Sequence, residues 1–315
     1  GGADEPEEPL PEPTGIYATL YEDGTLGFST TQENKIEGKA VLKEYDDVKG
    51  QDFTLEANAI NTPWYEDRAS VTTIDFQEEI VPTDMTGWFA NCTNLTEIKN
   101  LTNLNTSNVT DMDYLFNGCT GLTDLNLSNI NTRNVMDMSN MFNGCIGLTS
   151  LDLSSFDASN VTNMSMMFGQ CMSLTELNLS NFNTINLTNM FAMFVYCKEL
   201  TNLNLSGLDT RNVVNMSSVF VGCESLTSLD LSGFNTSNVT DMSMMFSKYS
   251  ADENMNLIEI KGLEKFDTSN VTDMHTMFYG CTQLTSLDLS SFNTANVTNM
   301  RYMFRDCPLL TTIYV

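Results

Sequence analysis

Eight cysteines, twenty methionines and one histidine are the residues of this 315-residue chain with the most obvious capacity for chemistry. The cysteines stand at 92, 119, 145, 171, 197, 223, 281 and 307. An even number of thiols suits disulfides in an exported protein, but one cysteine per 26 residues brings no two of them together. The short C-x2-4-C spacing of a structural zinc site is absent. Small buried thiols filling one fixed slot are the reading that the spacing favours. The methionines invite a copper site, yet Met164 and Met167 share an apolar face with Phe168, and methionine is a good core filler. His275 occupies a slot that elsewhere holds Asp113, Ser139, Ser165, Ser243 or Arg301, so an exposed side chain is expected. One imidazole without a paired acid or base leaves little material for hydrolytic or metal chemistry. A column of Asn131, Asp157, Asn183, Asp209, Asn235, Asp267 and Asn293 could form a calcium ladder. Calcium prefers several carboxylate oxygens, whereas this column is mostly amide and suits Asx turns that satisfy backbone groups of the next unit. No catalytic residue, metal ligand or cofactor is expected, and an enzyme is the remotest reading.

The elements that carry these residues follow from a repeat. A phenylalanine precedes each cysteine by three (Phe89, Phe116, Phe142, Phe168, Phe194, Phe220, Phe246, Phe278, Phe304), and a methionine precedes each phenylalanine by four. Tyr249 stands where the cysteine of one unit is expected, and six extra residues follow before Cys281. Within one unit, Leu148-Thr-Ser-Leu151-Asp-Leu153 alternates as a short strand does. Asp157-Ala-Ser-Asn160 reads as a turn. Val161, Met164, Met167 and Phe168 recur at three and four, which predicts a short helix capped by Asn160 with Asn163 at its third position. A unit of this size cannot bury its own apolar face, so neighbours must stack. The expected fold is an α/β solenoid of about ten parallel strands, from Val71 to Val315, and nine short helical segments. The wider helices would form the convex side and the sheet the concave side.

The unit 148–171 resembles the 26-residue repeat of bacterial surface proteins, a BspA-like leucine-rich repeat family, and the resemblance covers about 71–315. It implies a right-handed leucine-rich superhelix in a secreted or surface protein of bacteria, wall- or lipid-anchored in its parent, with adhesive or host-binding roles. The chain departs from the general leucine-rich pattern in one slot. The usual Asn/Cys ladder position holds Ile130, Phe156, Phe182, Leu208 or Phe234, and the Asx residue follows it.

Residues 1–14 hold five acids, four prolines and no base, the composition of a disordered linker. Residues 15–70 break the repeat and read as a β-rich N-terminal cap, with a hairpin at Glu22-Asp23-Gly24. The excess between Tyr249 and Leu257 is expected to loop out at Ala251–Asn254. No signal-peptide pattern opens the chain, and no apolar run is as long as a membrane span. The last strand, Leu310–Val315, stops where a further turn should begin. That predicts either more residues in the parent or an antiparallel, two-fold edge dimer.

Fourteen Lys and Arg against 41 Asp and Glu give a net charge of −27, which excludes nucleic acid and docking on anionic lipid. The concave strand face remains as the candidate site. With Leu151 and Leu153 pointing inward, the outward set is Asp124, Asn126, Asp152, Glu176, Asn178, Asn204, Asp230 and Asp288, with Tyr314 at the end. The partner expected there is a host or bacterial protein or a glycan. The alternative is a structural spacer that presents another domain and has no ligand of its own.

Overall fold

The computed structural model describes residues 15–49, 51, 55–56 and 59–315; the linker expected over 1–14 lies outside the described residues. Thirteen strands run in chain order: β1 (Tyr17–Tyr21), β2 (Thr25–Ser29), β3 (Val41–Tyr45), β4 (Leu55–Glu56), β5 (Ala59–Ile60), β6 (Thr73–Phe76), β7 (Glu97–Lys99), β8 (Glu176–Asn178), β9 (Asn202–Asn204), β10 (Ser228–Asp230), β11 (Glu259–Lys261), β12 (Ser286–Asp288) and β13 (Thr312–Tyr314). The hairpin of β1 and β2 turns at Asp23-Gly24, where Gly24 takes a φ of +86°. Glycine is the residue that adopts this without steric cost.

The N-terminal module and the repeat share one sheet, in the order β3-β1-β2-β6-β7. β2 pairs in parallel with β6, the first strand of the repeat. Trp64, Trp88, Phe28, Phe76 and Phe89 pack together across this junction and are all buried. From there, parallel pairs join β6 to β7, β8 to β9, β10 to β11 and β12 to β13. Ten strand positions were expected from Val71 onward, and eight form. Asp124–Asn126 and Ser150–Asp152 hold the strand position without forming strands, and the ladder is interrupted again between β9 and β10 and between β11 and β12.

The predicted helices are absent among the described residues, and their place is taken by ladders of turns. In the rung of Phe168, the amides of Met164, Met166, Phe168 and Gln170 donate to carbonyls of Asn189, Phe191, Met193 and Val195 in the next rung, at 2.6 to 3.0 Å. Between them, Met167, Gly169 and Cys171 donate back to residues three before, Met164, Met166 and Phe168. Met166 and Gln170 take φ values of +53° and +55°. Each is the third residue of its turn, where a type II turn requires positive φ. A left-handed residue every fourth position cannot propagate an α-helix. The apolar spacing that suggested a helix is satisfied equally well by turns of three or four residues stacked rung on rung.

The core is a set of columns. Phe116, Phe142, Phe168, Phe194, Phe220, Phe246, Phe278 and Phe304 stack with centroids 5.4 to 5.9 Å apart and planes within 13°. The cysteines run beside them, unpaired. Each thiol from Cys119 onward donates to a phenylalanine carbonyl of the rung before, as from Cys171 to Phe142 at 3.3 Å and Cys197 to Phe168 at 3.1 Å. Burial pushes the Cys145 and Cys197 thiols up to about 12. Seven cysteines are buried, while Cys307 is half-buried, as is Phe304.

Three other expectations are corrected. Asn160 caps no helix: its Nδ2 donates to the Arg133 carbonyl of the preceding rung at 2.7 Å, and Asn134, Asn186, Asn212, Asn238, Asn270 and Asn296 do likewise. The Asx column closes local turns, as Asp157 accepts from Ser159, and leaves the joining of rungs to buried threonines. Thr132 donates to the Asp157 carbonyl at 2.9 Å and accepts the Asp157 amide at 2.8 Å; Thr106, Thr184, Thr210, Thr236 and Thr268 all donate in the same way. Tyr249 does not fill the cysteine slot. It is 66% exposed at the start of the surface loop, and Met255 returns to the core to pair with Cys281.

Candidate functional site: the polar strand face

Along each rung the strand alternates. Leu177, Leu229 and Leu287 are buried, and the residues flanking them point outward and are exposed. All nine candidates, Asp124, Asn126, Asp152, Glu176, Asn178, Asn204, Asp230, Asp288 and Tyr314, are exposed. Parallel register then sets like positions beside one another: Glu176 beside Asn202, Asn178 beside Asn204, and Asp288 beside Tyr314.

Three shallow depressions lie on this face. One, of about 430 Å³, is lined by Ser150, Asp152, Glu176, Asn178, Asn202 and Asn204 around Leu151 and Leu177. A second, of about 420 Å³, contains Asp124 and Asn126 beside Glu97. A third, of about 490 Å³, runs from Asn202 and Asn204 to Asp230. The structure therefore brings Asp152, Glu176, Asn178 and Asn204 together, and sets Asp124 with Asn126 and Asn204 with Asp230 in adjoining hollows. Asn202, in the same outward slot of the repeat as Asp124, lines two of the three.

Three acids of this face, Asp152, Asp230 and Asp288, are held ionised by donors from their own turns. Asp152 sits below the usual carboxylate range because the Ser154 amide and then its hydroxyl donate to it, the amide at 2.9 Å. For Asp230 and Asp288 the serine hydroxyl two residues on is the larger cause and its amide the next. Asn126, Asn178 and Asn204 accept from the amides of Ser128, Ser180 and Ser206 at 3.0 Å. One oxygen of each such residue thus closes its own turn, and the remaining polar atoms face solvent. Lys99 and Lys261 pair on the same face with Glu97 and Glu259 at 3.6 and 3.8 Å, both exposed. Exposed pairs of this kind contribute little to stability.

No group of three metal-ligating side chains occurs among the described residues. His275 lies on the turn side of its rung and is half-buried instead of exposed, its Nδ1 2.7 Å from Asp273. No helix among the described residues is long and apolar enough to cross a membrane.

A family described as "Mycoplasma protein of unknown function, DUF285" matches residues 83–202, 172–261 and 249–312. None of the curated proteins matches the chain. Among solved structures, a leucine-rich cell surface protein from Faecalibacterium prausnitzii is similar at 15% identity and a TM-score of 0.34, over 98% of this chain and 95% of its own. A leucine-rich repeat protein from Eubacterium ventriosum is similar at 15% identity and a TM-score of 0.33, over 96% and 82%. The Drosophila Toll–Spatzle complex is similar at 16% identity and a TM-score of 0.28, over 78% and 36%.

Proposed function

The chain belongs to the DUF285 family, and from that premise we propose that it is a non-enzymatic repeat protein of the BspA-like leucine-rich kind. In this reading it is a right-handed superhelix on a bacterial surface, or secreted, that binds a protein or glycan through its strand face. One observation carries the reading: the hollow that joins Asp152, Glu176, Asn178, Asn202 and Asn204 across three neighbouring rungs. Its carboxylates and amides keep unused acceptors, so it suits a partner rich in hydroxyl, amide or ammonium donors. Affinity there comes from polar contacts, since no aromatic anchor lines the hollow.

The test is a protein and glycan array probed with the intact chain and with Asp152→Ala/Glu176→Ala. A ligand lost with the double variant supports the reading. Ligands bound equally by both chains place recognition elsewhere. A structural spacer is the second reading, favoured by the Asx turns that occupy one oxygen of Asp152, Asn178, Asn204 and Asp230. It expects no ligand on any array.

A further inference from the structure

On the turn side of the last two rungs two arginines gather around tyrosine rings; the comparable cluster of Lys198 with Tyr196 and Tyr249 has its base paired with Glu224 and Glu253. The Arg301 guanidinium lies 4.6 Å from the centre of the Tyr302 ring and donates to the Tyr302 hydroxyl at 2.8 Å. Arg305 stands between two rings, 5.1 Å from Tyr302 and 5.7 Å from Tyr279. Lys248, from the rung of Phe246, has its ammonium 5.0 Å from the centre of the Tyr279 ring and 3.0 Å from Asp306. Arg301, Tyr302 and Arg305 are exposed. Among the described residues Arg301 has no carboxylate within ion-pair distance, and Arg305 has only Asp306, at 4.0 Å. The slots of Arg301, Tyr302 and Arg305 hold Ser217, Ser218 and Val221 in one earlier rung and Ser243, Met244 and Ser247 in another, so the repeat does not require these residues.

Exposed arginine and tyrosine side by side make a recognition surface. Guanidinium planes pair with carboxylates in a fork that lysine cannot copy, and tyrosine faces accept proline rings of extended peptides. The chain itself contains a segment with both features: Asp4-Glu5-Pro6-Glu7-Glu8-Pro9-Leu10-Pro11-Glu12-Pro13, without one base. We propose that the turn-side patch of Arg301, Tyr302 and Arg305 binds the acidic, proline-rich segment 4–13 of a second copy of this chain.

Reach decides between the same copy and another. β1 and β13 lie at opposite ends of the stack, separated by eleven strand spacings of ~4.8 Å, or about 50 Å. Asp4 is eleven residues from Gly15, which allows at most about 40 Å at full extension, and Glu12 is nearer still to its tether. The segment cannot fold back to its own patch, so the contact is head-to-tail between copies. Such a contact is heterologous and propagates unless a rotation closes it. It differs from the two-fold edge pairing that the last strand alone suggests.

The experiment uses the full chain and a fluorescent peptide of residues 1–14. The peptide is expected to bind saturably at low salt and to weaken at least ~10-fold with Arg301→Glu/Arg305→Glu. A peptide with its five acids changed to lysine is expected to bind that variant and not the parent chain. Sedimentation should show mass rising with concentration at low salt and falling to monomer when salt screens the contact. Arg301→Gln/Arg305→Gln, with circular dichroism, guards against misfolding of the reversed variant and should weaken binding in the same direction. Peptide binding unchanged by both variants overturns the proposal. Absence of peptide binding also overturns it, and tight binding of inorganic polyphosphate in that case assigns the patch to an anionic polymer.

Discussion

Replacing Thr210 with valine tests the mechanism that joins the rungs. The Thr210 hydroxyl donates to the Asn235 carbonyl at 2.9 Å and accepts the Asn235 amide at 2.8 Å. The side chain is 1% exposed. Valine keeps the shape and removes both bonds. Each bond contributes about 0.5–1.5 kcal/mol net, and an orphaned buried partner costs about 1–3 kcal/mol. Because Asn235 is itself exposed and the bonds are only partly buried, a loss of about 2–3 kcal/mol is expected. Thr210→Ser keeps the hydroxyl and should cost much less. The chain supplies its own control: Ala158 stands in this column and offers no hydroxyl to Asn183, so Ala158→Thr should gain about 1 kcal/mol. Urea unfolding at constant m-value measures each change, and exchange of the Asn235 amide localises it. Equal stability of Thr210→Ser and Thr210→Val would show that the hydroxyl carries none of the effect and refute the reasoning.

Phe194→Ala removes a ring stacked on both sides and should cost about 3–5 kcal/mol in the same unfolding assay. Native protein should react slowly with a thiol reagent, Cys307 first, and denatured protein should release all eight thiols; mass measurement without reductant would reveal any bridge. Asp111 is pushed up to about 8, mainly by burial and then by Asp113 and Asp137. Its folded value lies above the unfolded one, so its contribution is full below about pH 4 and is lost as pH rises through about 8. Asp111→Asn should therefore raise the melting temperature at pH 8 and flatten that pH dependence. Chymotrypsin should cut first at Tyr249, in the exposed loop, before any regular rung.

The repeat period, the strand positions and the buried columns were all legible, because burial leaves a periodic trace of apolar residues. Val161, Met164, Met167, Phe168, Cys171, Leu174, Leu177 and Leu179 are all buried. The helices were misread because an i, i+3, i+6, i+7 pattern states which residues face inward and not which hydrogen bonds connect them. A warning was present in the sequence: Gly118, Gly144, Gly222 and Gly280 recur at the position where Gln170 takes positive φ, which is the mark of a turn as much as of a helix end. Asn160 was assigned to a cap for a related reason. Asparagine serves helix starts and amide ladders alike, and only the rung beneath it decides. The strand-face residues were found because alternation fixes which side chains point outward. Their Asx turns were missed, although the serine two residues after each was visible. The Arg301–Arg305 patch was passed over because it breaks the consensus in a single rung.

A repeated core also turns the chain into its own comparison. Every rung must meet its neighbours through the same backbone, so a column with a joining role changes little: the threonine column from Thr106 to Thr294 departs once, at Ala158. The outward column holds asparagine in eight of nine rungs, Asn108, Asn134, Asn160, Asn186, Asn212, Asn238, Asn270 and Asn296, with Val81 in the first, and from Asn134 onward its amides bond to the rung before. The strand-face column Asp124, Ser150, Glu176, Asn202, Ser228, Glu259 and Ser286 is equally exposed, yet varies in charge and length at almost every rung. Its backbone pairs with the neighbouring rungs, but among the described residues none of these side chains bonds across to another rung. If that freedom serves recognition, exchanging Glu176 and Ser150 should change binding at the hollow and leave stability within ~0.5 kcal/mol, the usual range for surface changes. Exchange of Asn186 for serine should do the reverse, weakening the stack at one rung while any ligand of the strand face still binds.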